Sequence, residues 1–155
     1  MKLSKKGEYA LRSLINLGIA AEVGRSLVQV TELADNEQLP VKFLEQIMQA
    51  LKEAGLVVSA RGKFGGYRLA KPAKRITIGE VVRLIDGPLA PIGCVSQTAY
   101  APCRDCLDEK TCVVRAVMRQ VRDRTAEVLD STTFAMLVEQ EDVLSRTLAG
   151  VDFSI

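Results

Sequence analysis

The stretch Leu56-Val57-Val58-Ser59-Ala60-Arg61-Gly62-Lys63-Phe64-Gly65-Gly66-Tyr67-Arg68-Leu69-Ala70 holds two extended runs around a short, basic, glycine-rich turn. β-Branched and aromatic residues populate the runs, and Gly62, Gly65 and Gly66 interrupt them. That pattern spells a β-hairpin with a cationic tip. Lys71-Pro72 closes the second strand, because proline cannot donate to a ladder. Upstream, Phe43, Leu44, Ile47, Met48 and Leu51 recur at helical spacing between Pro40 and Gly55. Proline suits a helix start, where its missing N–H has no partner, and glycine suits the left-handed stop. Before this helix, Val28 to Val30 reads as a short extended piece. Thr31 is expected to cap a brief helix through about Gln38.

Residues 4–22 complete the pattern. Leu11, Leu14, Ile15, Leu17 and Ile19 recur on one helical face, and Glu8, Arg12 and Asn16 interrupt the apolar run. Those polar residues argue against a signal peptide, so the segment reads as a mature amphipathic helix in a cytoplasmic protein. Helix, helix, helix, basic hairpin is the order of a winged helix-turn-helix domain. The expected fold is mainly α with a small β-hairpin wing.

Beyond the hairpin, Thr77-Ile78-Gly79-Glu80 has the form of a capping box. Its helix should run to Gly87-Pro88. An irregular stretch follows to about Asp108, and a long helix is expected from near Glu109. Val114, Val121 and Val128 lie seven apart on it, with Val117 and Met118 beside the first. Valines at that interval suit a two-stranded helix pairing, hence a homodimer. Thr132 or Thr133 should cap one more short helix to about Gln140, followed by a tail. The expected organisation is a DNA-binding unit at 1–87, a cysteine loop at 88–108, dimerisation and following helices at 109–140, and a tail at 141–155.

With 155 residues, 48% hydrophobic and 26% charged, the chain can bury a core without staples. Its apolar runs fall well short of the roughly 18 residues a membrane span needs, so no membrane partner is expected. Histidine is absent. That excludes Ser-His-Asp and Cys-His catalysis, and histidine-ligated zinc or haem. No glycine-rich phosphate loop follows a strand, which leaves a dithiol oxidoreductase using Cys103 and Cys106 as the enzyme alternative; the chain is read as a non-enzyme. Charge is uneven. Residues 1–80 hold 13 Lys and Arg against 8 Asp and Glu, and residues 81–155 hold 8 against 11. Arg61 to Arg75 contains six cations and no acid.

A basic first half with this fold points to double-stranded DNA, whose affinity comes largely from neutralised phosphates. The second helix of the motif would enter the major groove with Val41, Lys42, Glu45, Gln46 and Gln49 near base edges. Lysine can read guanine, glutamine adenine, and a carboxylate the cytosine amino group. Arg61, Lys63 and Arg68 of the wing would meet phosphates or the minor groove.

Cys94, Cys103, Cys106 and Cys112 fall inside 19 residues. Four clustered thiols in a reducing compartment point to metal or redox chemistry. Three readings stand side by side: an iron–sulfur cluster, structural zinc with only one C-x2-C knuckle, and a thiol switch at Cys103-Arg104-Asp105-Cys106.

The chain resembles the Rrf2 family of bacterial winged-helix regulators. The resemblance is carried by Leu3-Ser4-Lys5-Lys6-Gly7-Glu8-Tyr9-Ala10-Leu11, Phe43-Leu44-Glu45-Gln46-Ile47, Gly55-Leu56-Val57, Arg61 to Ala70 and Ile76 to Val82. It implies a homodimeric repressor or activator with a [2Fe–2S] or [4Fe–4S] cluster near the dimerisation region. Cys106 and Cys112 match the family's last two ligands, with Cys94 or Cys103 as the first. Some members carry His shortly after the third cysteine, and Arg115 stands there instead. The remaining cysteine or Glu8 is then the candidate fourth ligand, Glu8 coming from the partner subunit.

Overall fold

The computed structural model describes the backbone of residues 1–150 and the side chains of residues 1–145. Helix α1 spans Lys5–Glu22, and Ser4 caps it by accepting the Gly7 amide at 2.9 Å. Ala10, Leu14 and Leu17 form its buried stripe. Helix α2 spans Val30–Glu37 with Gln29 at its N-cap, so Thr31 lies inside the helix and does not cap it. The cause is local. Val28 is held extended against Tyr67 by paired backbone bonds of 2.9 and 2.8 Å, and the helical turn starts as soon as that pairing ends.

Helix α3 spans Val41–Glu53 and buries Leu44, Ile47, Met48 and Leu51, as the spacing predicts. Strands β1 (Val57–Ala60) and β2 (Gly66–Leu69) form the antiparallel hairpin, in register from Val57 opposite Leu69 to Ala60 opposite Gly66. Gly66 has φ +143°, and a Cβ there would lie 2.4 Å from the Val28 carbonyl oxygen. Only glycine lets the hairpin sit this close to the chain entering α2.

Helix α4 covers Ile78–Asp86, with the Thr77 hydroxyl accepting the Glu80 amide at 3.2 Å. The reciprocal half of the expected capping box is not made by Glu80, whose carboxylate turns to Lys71 at 2.9 Å. Helix α5 covers Val113–Ser131 and starts later than expected. Asp108 instead closes a turn, accepting the Lys110 amide at 3.0 Å and the Thr111 hydroxyl at 3.1 Å, and Cys112 becomes the cap.

Helix α6 covers Phe134–Gly150, well past the expected end at Gln140. Most of the expected tail is therefore helical, and 151–155 lie outside the described residues. No proline or glycine interrupts 134–149, so nothing local stops the helix. Its start is stitched back to the first half of the chain. The Ile78 amide donates to Thr132 and the Phe134 amide to Ile76, each at 3.0 Å. Phe134 is fully buried in the core of α1, α3 and α4 side chains. No helix among the described residues is long and apolar enough to cross a membrane.

Candidate nucleic-acid interface and thiol cluster

Burying Leu44, Ile47, Met48 and Leu51 leaves the opposite face of α3 in water. Lys42, Glu45, Gln46 and Gln49 stand exposed on it and, with Tyr67 of β2, line one shallow depression. Gln49 is tied to Glu53 at 2.8 Å. Partial burial raises the Tyr67 phenol above its ordinary range, with the Glu45 charge adding to it. The strand thus faces the helix through that ring, which sequence reading did not single out. A groove of about 560 Å³ separates α3 from the wing, bordered by Gln29, Glu45, Lys52, Arg61, Lys63 and Tyr67. The sequence-expected residues Lys42, Glu45, Gln46, Gln49, Arg61 and Lys63 therefore share one side of the molecule.

Arg68 is placed elsewhere. Alternation along β2 turns it away from Tyr67. It lines a separate cavity of about 580 Å³ with Arg25 and Lys71, between the end of α1 and α6. Its Nη1 donates to the Leu69 carbonyl at 3.3 Å. Arg25 and Lys71 already pair with Glu32 and Glu80.

The cysteines divide similarly. Cys94 is buried in the 3-10 turn Gly93–Val95. Cys103 is exposed, and Cys106 and Cys112 are half-buried. Desolvation raises the Cys106 thiol, and the charges of Cys112, Cys103 and Glu109 add to the rise. Cys103, Cys112 and Glu109 therefore each lie within electrostatic reach of Cys106. Among the described residues, no three such side chains close onto a common point.

Arginines organise the loop, a feature missed in the sequence because Arg115 was weighed only as a departure from a histidine. The Arg115 amide donates to the Cys112 sulfur at 3.4 Å, while its Nε donates to the Cys94 carbonyl at 3.2 Å. Arg115 also faces Glu109 at 3.5 Å, and Glu109 accepts the Tyr100 hydroxyl at 2.5 Å. Arg122 Nη1 donates to the Val95 carbonyl at 2.6 Å. Two arginines about two turns apart on α5 thus grip the turn that carries Cys94.

Glu8 lies apart from these thiols in the chain's bonding. Its carboxylate takes Lys5 and Arg12, each at 2.8 Å, and the hydrogen bond from Lys5 holds it below the usual carboxylate range. On α5, Val114, Val117, Val121 and Val128 are all exposed, as are Met136, Val143 and Leu144 on α6.

A family model described as Rrf2, an iron-dependent transcriptional regulator, matches residues 3–140. An rrf2-like HTH-type transcriptional regulator from Rhodobacter capsulatus is 42% identical over 134 residues, covering 84% of this chain and 88% of that protein. The HTH-type transcriptional regulator IscR of Escherichia coli is 30% identical over 93% of this chain and 84% of its own. The solved structure of CymR, the global cysteine regulator of Bacillus subtilis, superposes with a TM-score of 0.75. It is 32% identical and covers 90% of this chain and 98% of its own. Three helices followed by a basic wing, the helix-turn-helix relatives and this family match lead to one conclusion: the chain belongs to the Rrf2 family of transcriptional regulators, DNA-binding proteins rather than enzymes.

Proposed function

We propose that this regulator works as a homodimer whose DNA affinity is set by an iron–sulfur cluster on its C-terminal cysteines. The observation that carries this reading is the set of four cysteines within 19 residues, the last of them capping α5, in a chain that matches a family described as iron-dependent regulators. An all-thiol set without histidine suits iron–sulfur ligation. Cys112 and Cys106, with Cys94 or Cys103, would hold the group, and the fourth position falls to the remaining cysteine or to Glu8 of the partner subunit. When bound, such a group supplies a redox-active centre that iron supply, oxidants or nitric oxide can alter.

The chain's own residues do the rest. Helix α3 presents Lys42, Glu45, Gln46 and Gln49 to base edges, and Arg61 and Lys63 extend the contact along the backbone. The valine stripe of α5 covers its counterpart on a second copy. That pairing spaces two recognition helices by about one turn of duplex. Arg115 and Arg122 tie the Cys94 turn to α5, and Arg83 ties α5 to α4 through Asp130 at 2.6 Å. A change at the thiols therefore has a bonded route to the DNA-binding unit.

The test is Cys112→Ala. The variant should lose iron and sulfide together, and the wild-type response of DNA affinity to cluster removal should vanish. Full cofactor retention in the variant overturns the ligand assignment. A second reading, cluster-free thiol control, draws on the absence of a converged ligand set among the described residues. Metal-free protein that refuses reconstitution would favour it, and stoichiometric zinc would make the cysteine loop a structural zinc site instead.

A further inference from the structure

We propose that Gln29 is a positioning residue for DNA binding, acting as a bracket that holds the wing tip at a fixed height over the groove beside α3. The inference rests on the reading that Arg61 and Lys63 contact DNA.

The tip has little else to fix it. Arg61, Gly62, Lys63 and Phe64 are all exposed, and the Phe64 ring is 86% accessible. Gly62 and Gly66 occupy positive-φ backbone, so the turn gains no stiffness from side-chain sterics. Inside the ladder pair Ala60–Gly66, a backbone bond from the Gly65 amide to the Gly62 carbonyl at 3.0 Å closes the turn. The hairpin is fastened to the chain entering α2 near the turn end of β2, through Val28 and Tyr67, so the part left unheld is the turn itself, Arg61 to Phe64.

Gln29 holds that turn. Its Nε2 donates to the Lys63 carbonyl at 3.0 Å, spanning 34 residues of sequence. Its backbone is itself anchored, because its carbonyl accepts the Leu33 amide at 3.1 Å as the first bond of α2. The bracket therefore runs from a helix start to the peptide that carries a phosphate-contacting cation. The same side chain borders the groove between α3 and the wing, so the bond sits beside the surface DNA would occupy. Holding the turn in place before DNA arrives spares the ordering cost that an unheld turn would incur on binding.

The experiment measures Kd on a duplex that the wild-type protein selects from a random pool, across a salt series. Gln29→Ala and Gln29→Met, the second keeping bulk without a donor, should each weaken binding roughly 3- to 10-fold. The slope of log K against log salt should shrink by up to about 2, since each lost phosphate contact is worth about 0.9. Thermal stability should stay at the wild-type value. In an Arg61→Ala/Lys63→Ala background, adding Gln29→Ala should cost nothing further. The proposal is overturned if Gln29→Met binds like wild type, or if Gln29→Ala costs the same factor in both backgrounds, which would mean Gln29 acts by itself. If Arg61→Ala/Lys63→Ala alone leaves affinity intact, the wing reading fails and takes this proposal with it.

Discussion

The guanidinium of Arg83, on α4, holds both carboxylate oxygens of Asp130, near the end of α5, at 2.6 and 2.8 Å. Residues 47 positions apart are thereby fastened where the DNA-binding unit meets the long helix. Gly79 makes room for the pair, since a Cβ there would lie 1.9 Å from Asp130 Oδ1. The bond to Arg83 holds the Asp130 carboxyl below the usual carboxylate range. A depressed carboxylate contributes stability above its unfolded pKa and loses it as pH falls through the folded one. Both side chains are about one-third or more exposed, so the pair is worth about 0.5 kcal/mol. A double-mutant cycle with Arg83→Ala and Asp130→Ala should show that coupling near neutral pH. It should disappear in acid, below the ordinary carboxylate range. Coupling that persists in acid would contradict the ionic account.

Phe134 should matter to the winged domain although it follows α5. Its side chain is fully buried among the α1, α3 and α4 residues. Phe134→Ala should cost about 3–5 kcal/mol, as deletion of a large core aromatic does. Denaturant unfolding of the variant measures this directly. A cost under about 1 kcal/mol would mean that α6 is not part of this core.

Gly66 combines a left-handed φ with a 2.4 Å approach to the Val28 oxygen. Gly66→Ala should destabilise the fold by about 2 kcal/mol, through backbone strain and a broken Val28–Tyr67 bridge. DNA affinity should fall with it. Gly62 also has positive φ but open space around it, so Gly62→Ala should cost only the conformational part.

The valine stripe of α5 gives a test of assembly. Val121 is 45% exposed in the single chain. Val121→Asp places a charge in the proposed helix pairing and should convert the protein to a monomer in sedimentation. Operator affinity should drop at least roughly tenfold, because one half-site contact is lost. A dimeric variant with wild-type affinity would remove α5 from the interface.

Much of this molecule was legible in residue order because its signals are local. Gly55 and Pro40 bracket α3, glycines mark the wing, and heptad-spaced valines mark α5. What escaped depends on pairing across the chain. The start of α2 is set by Val28 meeting Tyr67, not by the hydroxyl of Thr31. The start of α5 shifts because Asp108 closes its own turn. Alternation on β2 puts Arg68 on the far side of the hairpin, although composition grouped it with Arg61 and Lys63. Helix α6 extends past Gln140 because nothing in the sequence stops it. The cysteines were visible as a cluster, but the arginine bonds to the Cys94 and Val95 carbonyls involve backbone acceptors that no motif records.

The central claim is that the cysteine loop holds a cluster that controls DNA binding. The most direct measurement is operator affinity of anaerobically purified protein, before and after cluster removal, with iron, sulfide and zinc quantified in the same sample. The account predicts matched iron and sulfide, visible-light absorption that is lost on removal, and an accompanying change in Kd. Metal-free or zinc-only protein, or a Kd unchanged by cluster loss, would contradict it.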